Sequence, residues 1–199
     1  MYYLGLLALF LFILGFGFSA LVEKYKLTAF TAFPLWFLKK TLALINPERP
    51  FLIIFLFIFL FNSLALCLYM LSGLLVFFPV LIAFLTGTNI GITVLFPIPE
   101  EVGRTIYRPN REVVVGPLFF LLTALVPLLE LFAFCFAIAL GLQMASAMFI
   151  DFRWANAVDL ALPRLVLYLQ VCLPSLFVAA LAETRLIKEL AQSTGEQSR

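Results

Sequence analysis

Long uncharged runs broken by short charged clusters organise this chain. Residues 1–22 carry no charge and are long enough for one membrane-crossing helix of ~20 residues. They lack a basic leader and a small-residue cleavage site, so they read as a retained span, not a signal peptide. Residues 27–38 are apolar but short, contain Pro34 and Trp36, and run into Lys39 and Lys40. That pattern predicts an amphipathic helix over 27–45 lying in the membrane interface, with its lysines toward the headgroups. Asn46-Pro47-Glu48-Arg49-Pro50 then stops it.

Residues 51–98 form a 48-residue stretch without a charge. As one helix it would measure roughly 72 Å, over twice the ~30 Å hydrocarbon core, so it must fold as a hairpin. The turn is expected at Ser72-Gly73, between spans at 51–71 and 74–96, with Pro97 and Pro99 ending the second. Residues 113–150 hold a single charge, Glu130. They too are overlong for one crossing, at roughly 57 Å of helix. Gly116, Pro117 and Pro127 offer breaks. Two readings fit: a short re-entrant or interfacial piece at 113–126 before a span at 127–150, or a hairpin of two spans. A last span is expected at 165–182, after a polar loop at 151–164 and before a polar tail at 183–199. The predicted fold class is an all-α polytopic membrane protein. It has five, or six, transmembrane helices plus the interfacial helix, in one domain over 1–182.

Composition strengthens this picture. The chain is 64% hydrophobic and 12% charged, with a mean hydropathy of +1.13. A soluble domain is about 45–50% apolar and about 25% charged, so a soluble enzyme is excluded. Basic residues then suggest the orientation. Residues 23–50 carry five, 100–112 three and the tail three, against none at the 72–73 turn and two in 151–164. With five spans, eleven basic residues fall on one side and two on the other. The positive-inside rule puts the N-terminus outside a cell (inner) membrane. A sixth span changes the split by one charge, and five spans plus a re-entrant piece is the preferred reading.

The net charge of +2 gives no footprint for nucleic acid. There is no histidine, which removes His-ligated metals and haem, His-based triads and the usual proton switch near neutral pH. No catalytic residue, metal or cofactor is therefore expected. Cys67, Cys135 and Cys172 are scattered through apolar runs and read as small packing residues. No internal repeat of the secondary-transporter kind is visible.

Of 24 charged residues, all but Glu130 fall in loops, tail or span ends. A charged carboxyl at mid-membrane costs about 2.5–3.5 kcal/mol. Glu130 is therefore either an ion, proton or substrate site, or a hydrogen-bonded acid gluing helices together. Ala133, Ala137, Gly141 and Ala145 follow it at four-residue spacing, a small-residue stripe that lets another helix approach closely. Gly87 and Gly91 make a second such stripe, read as packing within one subunit. Asn62 and Asn89 are amides inside apolar runs and need partners across helices or in a cavity. Gln143 and Gln170 pose the same question. Arg104, Arg108 and Arg111 would share one helix face, suited to anionic headgroups or an acidic partner loop.

The order of these features resembles the stage II sporulation protein M family of membrane proteins. Phe61-Asn62-Ser63, followed by Gly73 and Pro79, is similar to the family's Asn-bearing span, glycine and turn. Asn89-Ile90-Gly91 sits where the family has an Asn-Gly pair and a nearby glycine. Glu130 and the small residues running to Gly141-Leu142 resemble its His-Gly-x-x-Glu element and Ala/Gly-rich helix. Ala179-Ala180-Leu181-Ala182-Glu183 resembles its usual end. The likeness covers about residues 50–183. It departs where the family's His-Gly falls on Val126-Pro127, so only the acid carries over. The resemblance implies a non-enzymatic component of a membrane complex, the sporulation member being a scaffold for cell-wall remodelling proteins. Relatives are often encoded beside MoxR-type ATPases or ABC transporter parts. The expected function is therefore a scaffold or assembly subunit. Its expected partners are membrane lipids and other membrane subunits or further copies of itself. The rival is a permease-like subunit with a polar path around Glu130.

Overall fold

The computed structural model describes residues 2–95, 117–150 and 157–195. Six helices follow in order: α1 (Tyr2–Lys24), α2 (Thr28–Leu44), α3 (Phe51–Leu71), α4 (Phe78–Leu95), α5 (Pro117–Ile150) and α6 (Ala157–Gly195). Among the described residues, five of them are long and apolar enough to cross a bilayer, α2 being the exception. The protein is an all-α, multi-pass membrane protein. This follows from the medium: each N–H and C=O in hydrocarbon must be bonded within the segment, and a helix does that residue by residue.

Pro50 leads into α3 from an extended backbone. A single 3-10 turn, Ser72–Leu75, then reverses the chain into α4. Gly73 is required there, because a Cβ on it would collide with the backbone of Gly141 on α5. Contacts fix the helix directions. Gly15 meets Thr88 and Gly91 meets Ser19, so α1 and α4 run parallel. Asn62 meets Glu130 and Gly73 meets Gly141, so α3 and α5 run parallel. Tyr168 meets Ser63 while Lys188 meets Pro47, so α6 runs against α3. In the same way Phe12 packs on Phe134 while Leu4 and Phe149 share a cleft, so α1 opposes α5. The N-terminus, the 72–77 turn and the start of α6 therefore share one side of the bundle. Helix α2, residues 45–50 and the end of α6 share the other.

Helix α5 is the axis of the bundle, with 50% of its membrane window buried against 22–33% for the other four. The main core joins Ala133, Ala137, Ile138 and Met144 of α5 to Leu66 and Met70 of α3 and to Tyr168, Cys172 and Leu176 of α6. Helix α2 straps across the outside, with Phe30 against Phe18 of α1 and Phe37 against Phe61 of α3.

Four boundaries differ from the sequence reading. No separate piece exists at 117–126: α5 runs unbroken through Pro127. Proline is tolerated inside a membrane helix because neighbouring helices and local adjustments satisfy the freed carbonyl. At 34 residues α5 spans about 51 Å, so it must tilt or project beyond the hydrocarbon. Helix α6 begins at Ala157, so Asp159 and Arg164 lie within it and not in a loop. Arg164 turns one guanidinium N–H back to the Leu160 carbonyl at 2.7 Å, toward the helix start. The expected polar tail is also helix as far as Gly195, since Glu, Arg, Leu, Lys and Ala are good helix formers and no breaker separates Ala182 from Gly195. Helix α4 starts at Phe78, four residues later than expected, because the 3-10 turn and Phe77 intervene.

Candidate functional site

The candidate site lies at mid-span where α3, α5 and α6 meet. Asn62 on α3 donates from Nδ2 to Oε1 of Glu130 on α5 at 3.0 Å. The two residues are 68 apart in sequence and both are half-buried. One turn above Glu130, the Cys172 thiol of α6 points to the Ala133 carbonyl at 3.5 Å. The Tyr168 hydroxyl of α6 donates to the Ser63 carbonyl of α3. At one level of the membrane α3 thus donates to α5 and accepts from α6, and α5 also accepts from α6.

A second acid enters from below. Glu183 on α6 lies close enough to Glu130 for their charges to interact. Side chains lean toward the N-terminus of their own helix, and α5 and α6 are antiparallel, so the two carboxyls lean toward each other. Further down, Thr184 donates to the Ala180 carbonyl at 2.7 Å. Lys188 donates to the carbonyls of Pro47 and Arg49, at 2.7 Å to the former, tying the end of α6 to the turn before α3. Ile187 packs beside it on Ile54, Phe55 and Ile58.

The other sequence candidates fall elsewhere. Ala133, Ala137, Gly141 and Ala145 are buried on α5. A Cβ on Gly141 would stand only 3.0–3.1 Å from the Tyr69 and Met70 carbonyls. Gly87 and Gly91 face α1, where a Cβ on Gly87 would strike the Phe12 carbonyl. Asn89 is half-buried on α4, and no hydrogen bond joins it to Glu130 or Asn62 among the described residues. Lys39 and Lys40 are exposed on α2. Arg104, Arg108 and Arg111 lie outside the described residues.

Sequence reasoning missed Tyr168, Glu183 and Lys188 as parts of this arrangement. Glu183 directly follows the last apolar run, a position at which the sequence alone gives a carboxyl no need of a partner. It missed Gly15 and Ser19 too, although their spacing of four is the same small-residue signal read at Gly87 and Gly91. Gly15 lies against the Phe84 carbonyl, and Thr88 donates to the Gly15 carbonyl at 3.1 Å.

Chemically, the arrangement holds one carboxyl by a neutral amide donor with a second carboxyl nearby. No group of three or more His, Cys, Asp or Glu side chains among the described residues is placed to share a metal ion. Of the known proteins, the family described as stage II sporulation protein M matches this chain over residues 7–186. No curated protein and no solved structure matches it.

Proposed function

Since the chain belongs to the stage II sporulation protein M family, we propose that it is a non-enzymatic scaffold or assembly subunit of a larger complex in the cell membrane. The observation that carries this reading is the Asn62–Glu130 hydrogen bond. The one acid that the spans must accommodate at mid-membrane is bound to another helix of the same chain, which is what helix glue requires. An open cleft of about 360 Å³ lies at the far end of the bundle, lined by Leu4, Phe77, Leu142 and Phe149 and not by Glu130. Partners would then be recognised by the membrane faces and short connections, with Lys39 and Lys40 of α2 resting on anionic headgroups.

A second reading, a permease-like subunit, draws on the approach of Glu183 to Glu130, since two acids on facing helices could hand on a proton or cation. One experiment separates the two. The tagged full chain is recovered from native membranes in mild detergent and its companions are identified by mass spectrometry. The purified chain is then assayed for proton and cation flux in vesicles. The scaffold reading expects stoichiometric companions and no flux. Flux that disappears in Glu130→Gln, with companion recovery unchanged, would replace it with the second reading.

A further inference from the structure

Gln170 stands about midway along the membrane-crossing part of α6, yet its side chain is exposed on the outside of the bundle. It makes no hydrogen bond among the described residues. Lipid tails offer none, so this amide carries two N–H groups and one carbonyl oxygen with nothing to bind. Pro174 adds to the demand. It has no N–H, so the backbone carbonyl of Gln170 lacks its α-helical donor four residues on. Two unsatisfied polar groups therefore coincide at one point on a lipid-facing surface.

The surroundings of Gln170 are ordered. Pro163, Leu167, Gln170, Pro174, Phe177 and Leu181 are all exposed and follow one another at spacings of four, three, four, three and four. That is the spacing of a left-handed helix–helix seam, with a single polar residue near its middle, the device that sets register in two-stranded coils.

We propose that this seam pairs two copies of the chain, parallel in the membrane, with Gln170 hydrogen-bonded to Gln170. The occupant follows from symmetry. A two-fold axis along the membrane normal brings each residue to the same depth in both copies. An amide is both donor and acceptor, so it is its own complement. Any other partner would need a matched polar group at that depth. Each Gln170 amide can accept from and donate to its counterpart, and a remaining N–H can reach the carbonyl freed by Pro174.

The test uses the full chain, labelled at its C-terminus with donor or acceptor fluorophores and reconstituted in phosphatidylcholine–phosphatidylglycerol vesicles over a range of protein-to-lipid ratios. Wild type is expected to show energy transfer that rises with density and two-step photobleaching. Gln170→Leu removes both side-chain hydrogen bonds from a lipid-facing site and is expected to fold normally, with an unchanged thermal midpoint. It should raise the density needed for half-association by about ten-fold or more, given two membrane hydrogen bonds of typical strength. Gln170→Asn keeps a shorter amide and is expected to fall between the two. Equal association in wild type and Gln170→Leu overturns the proposal. So does a wild type that stays monomeric at every density, which would leave the seam to a different membrane subunit.

Discussion

Asn62 donates to Glu130 in a region where water does not compete for either group, and the absence of a competitor is what makes the bond matter. Removing one partner leaves the other half-buried among apolar side chains and unsatisfied, which costs more than the bond itself contributes. Glu130→Leu is therefore expected to lower stability by about 1–3 kcal/mol in thermal unfolding of the detergent-solubilised chain. Glu130→Gln, which keeps an acceptor oxygen, should cost less. The double change Asn62→Leu with Glu130→Leu should fall short of the sum of the single losses, as a double-mutant cycle would show. A second residue-scale prediction concerns Lys188, whose ammonium holds the carbonyls of Pro47 and Arg49. Lys188→Ala should speed hydrogen exchange across the start of α3 and leave the centre of α5 unchanged. Glu130 and Asn62 were both visible in the sequence as polar residues inside apolar runs, but that they meet was not. Their contact depends on the rotation of α3 relative to α5, and each residue taken alone is compatible with several neighbours.

The elements themselves follow from hydropathy and from glycines whose role depends on position. Gly15 and Gly17 lie in the same helix two residues apart, so they face nearly opposite ways. A Cβ on Gly15 would collide with the Phe84 carbonyl of α4, whereas a Cβ on Gly17 meets nothing within 4 Å. Backbone cannot move aside as a flexible side chain can. Gly15→Ala is expected to destabilise the α1–α4 pair by about 1–3 kcal/mol. Gly17→Ala should stabilise by about 0.5–1 kcal/mol through helix propensity alone. Thermal midpoints of the two variants should move in opposite directions. Element ends were the least legible feature. Pro127 reads as a breaker in water, but α5 passes through it. Glu183 reads as the end of a span, but α6 continues to Gly195 because Ile187 and Lys188 find partners on residues 45–58.

At the scale of the whole molecule, the helix directions place α2, residues 45–50 and the end of α6 on one side of the membrane. Ten of the thirteen basic residues lie in 23–50, the α4–α5 connection and 185–188, all of which leave or enter helix ends on that side. The positive-inside rule then predicts a cytoplasmic C-terminus. A green fluorescent protein fused there should fluoresce, and an alkaline phosphatase fused there should be inactive. The opposite pair of results would invert the topology. The amino-acid sequence by itself determined the membrane class and the isolation of Glu130, because partitioning into hydrocarbon is a property of each segment taken alone; the choice of five crossings over six came with the unbroken α5. Only the tertiary structure decided that Asn62 holds Glu130, that Glu183 approaches it and that Gln170 is left facing lipid. Those outcomes depend on how each helix is rotated and how deeply it sits against its neighbours. In a medium where tails are as apolar as leucine, backbone contacts at Gly15, Gly73, Gly87 and Gly141 set that rotation, and the hydrophobic pattern does not.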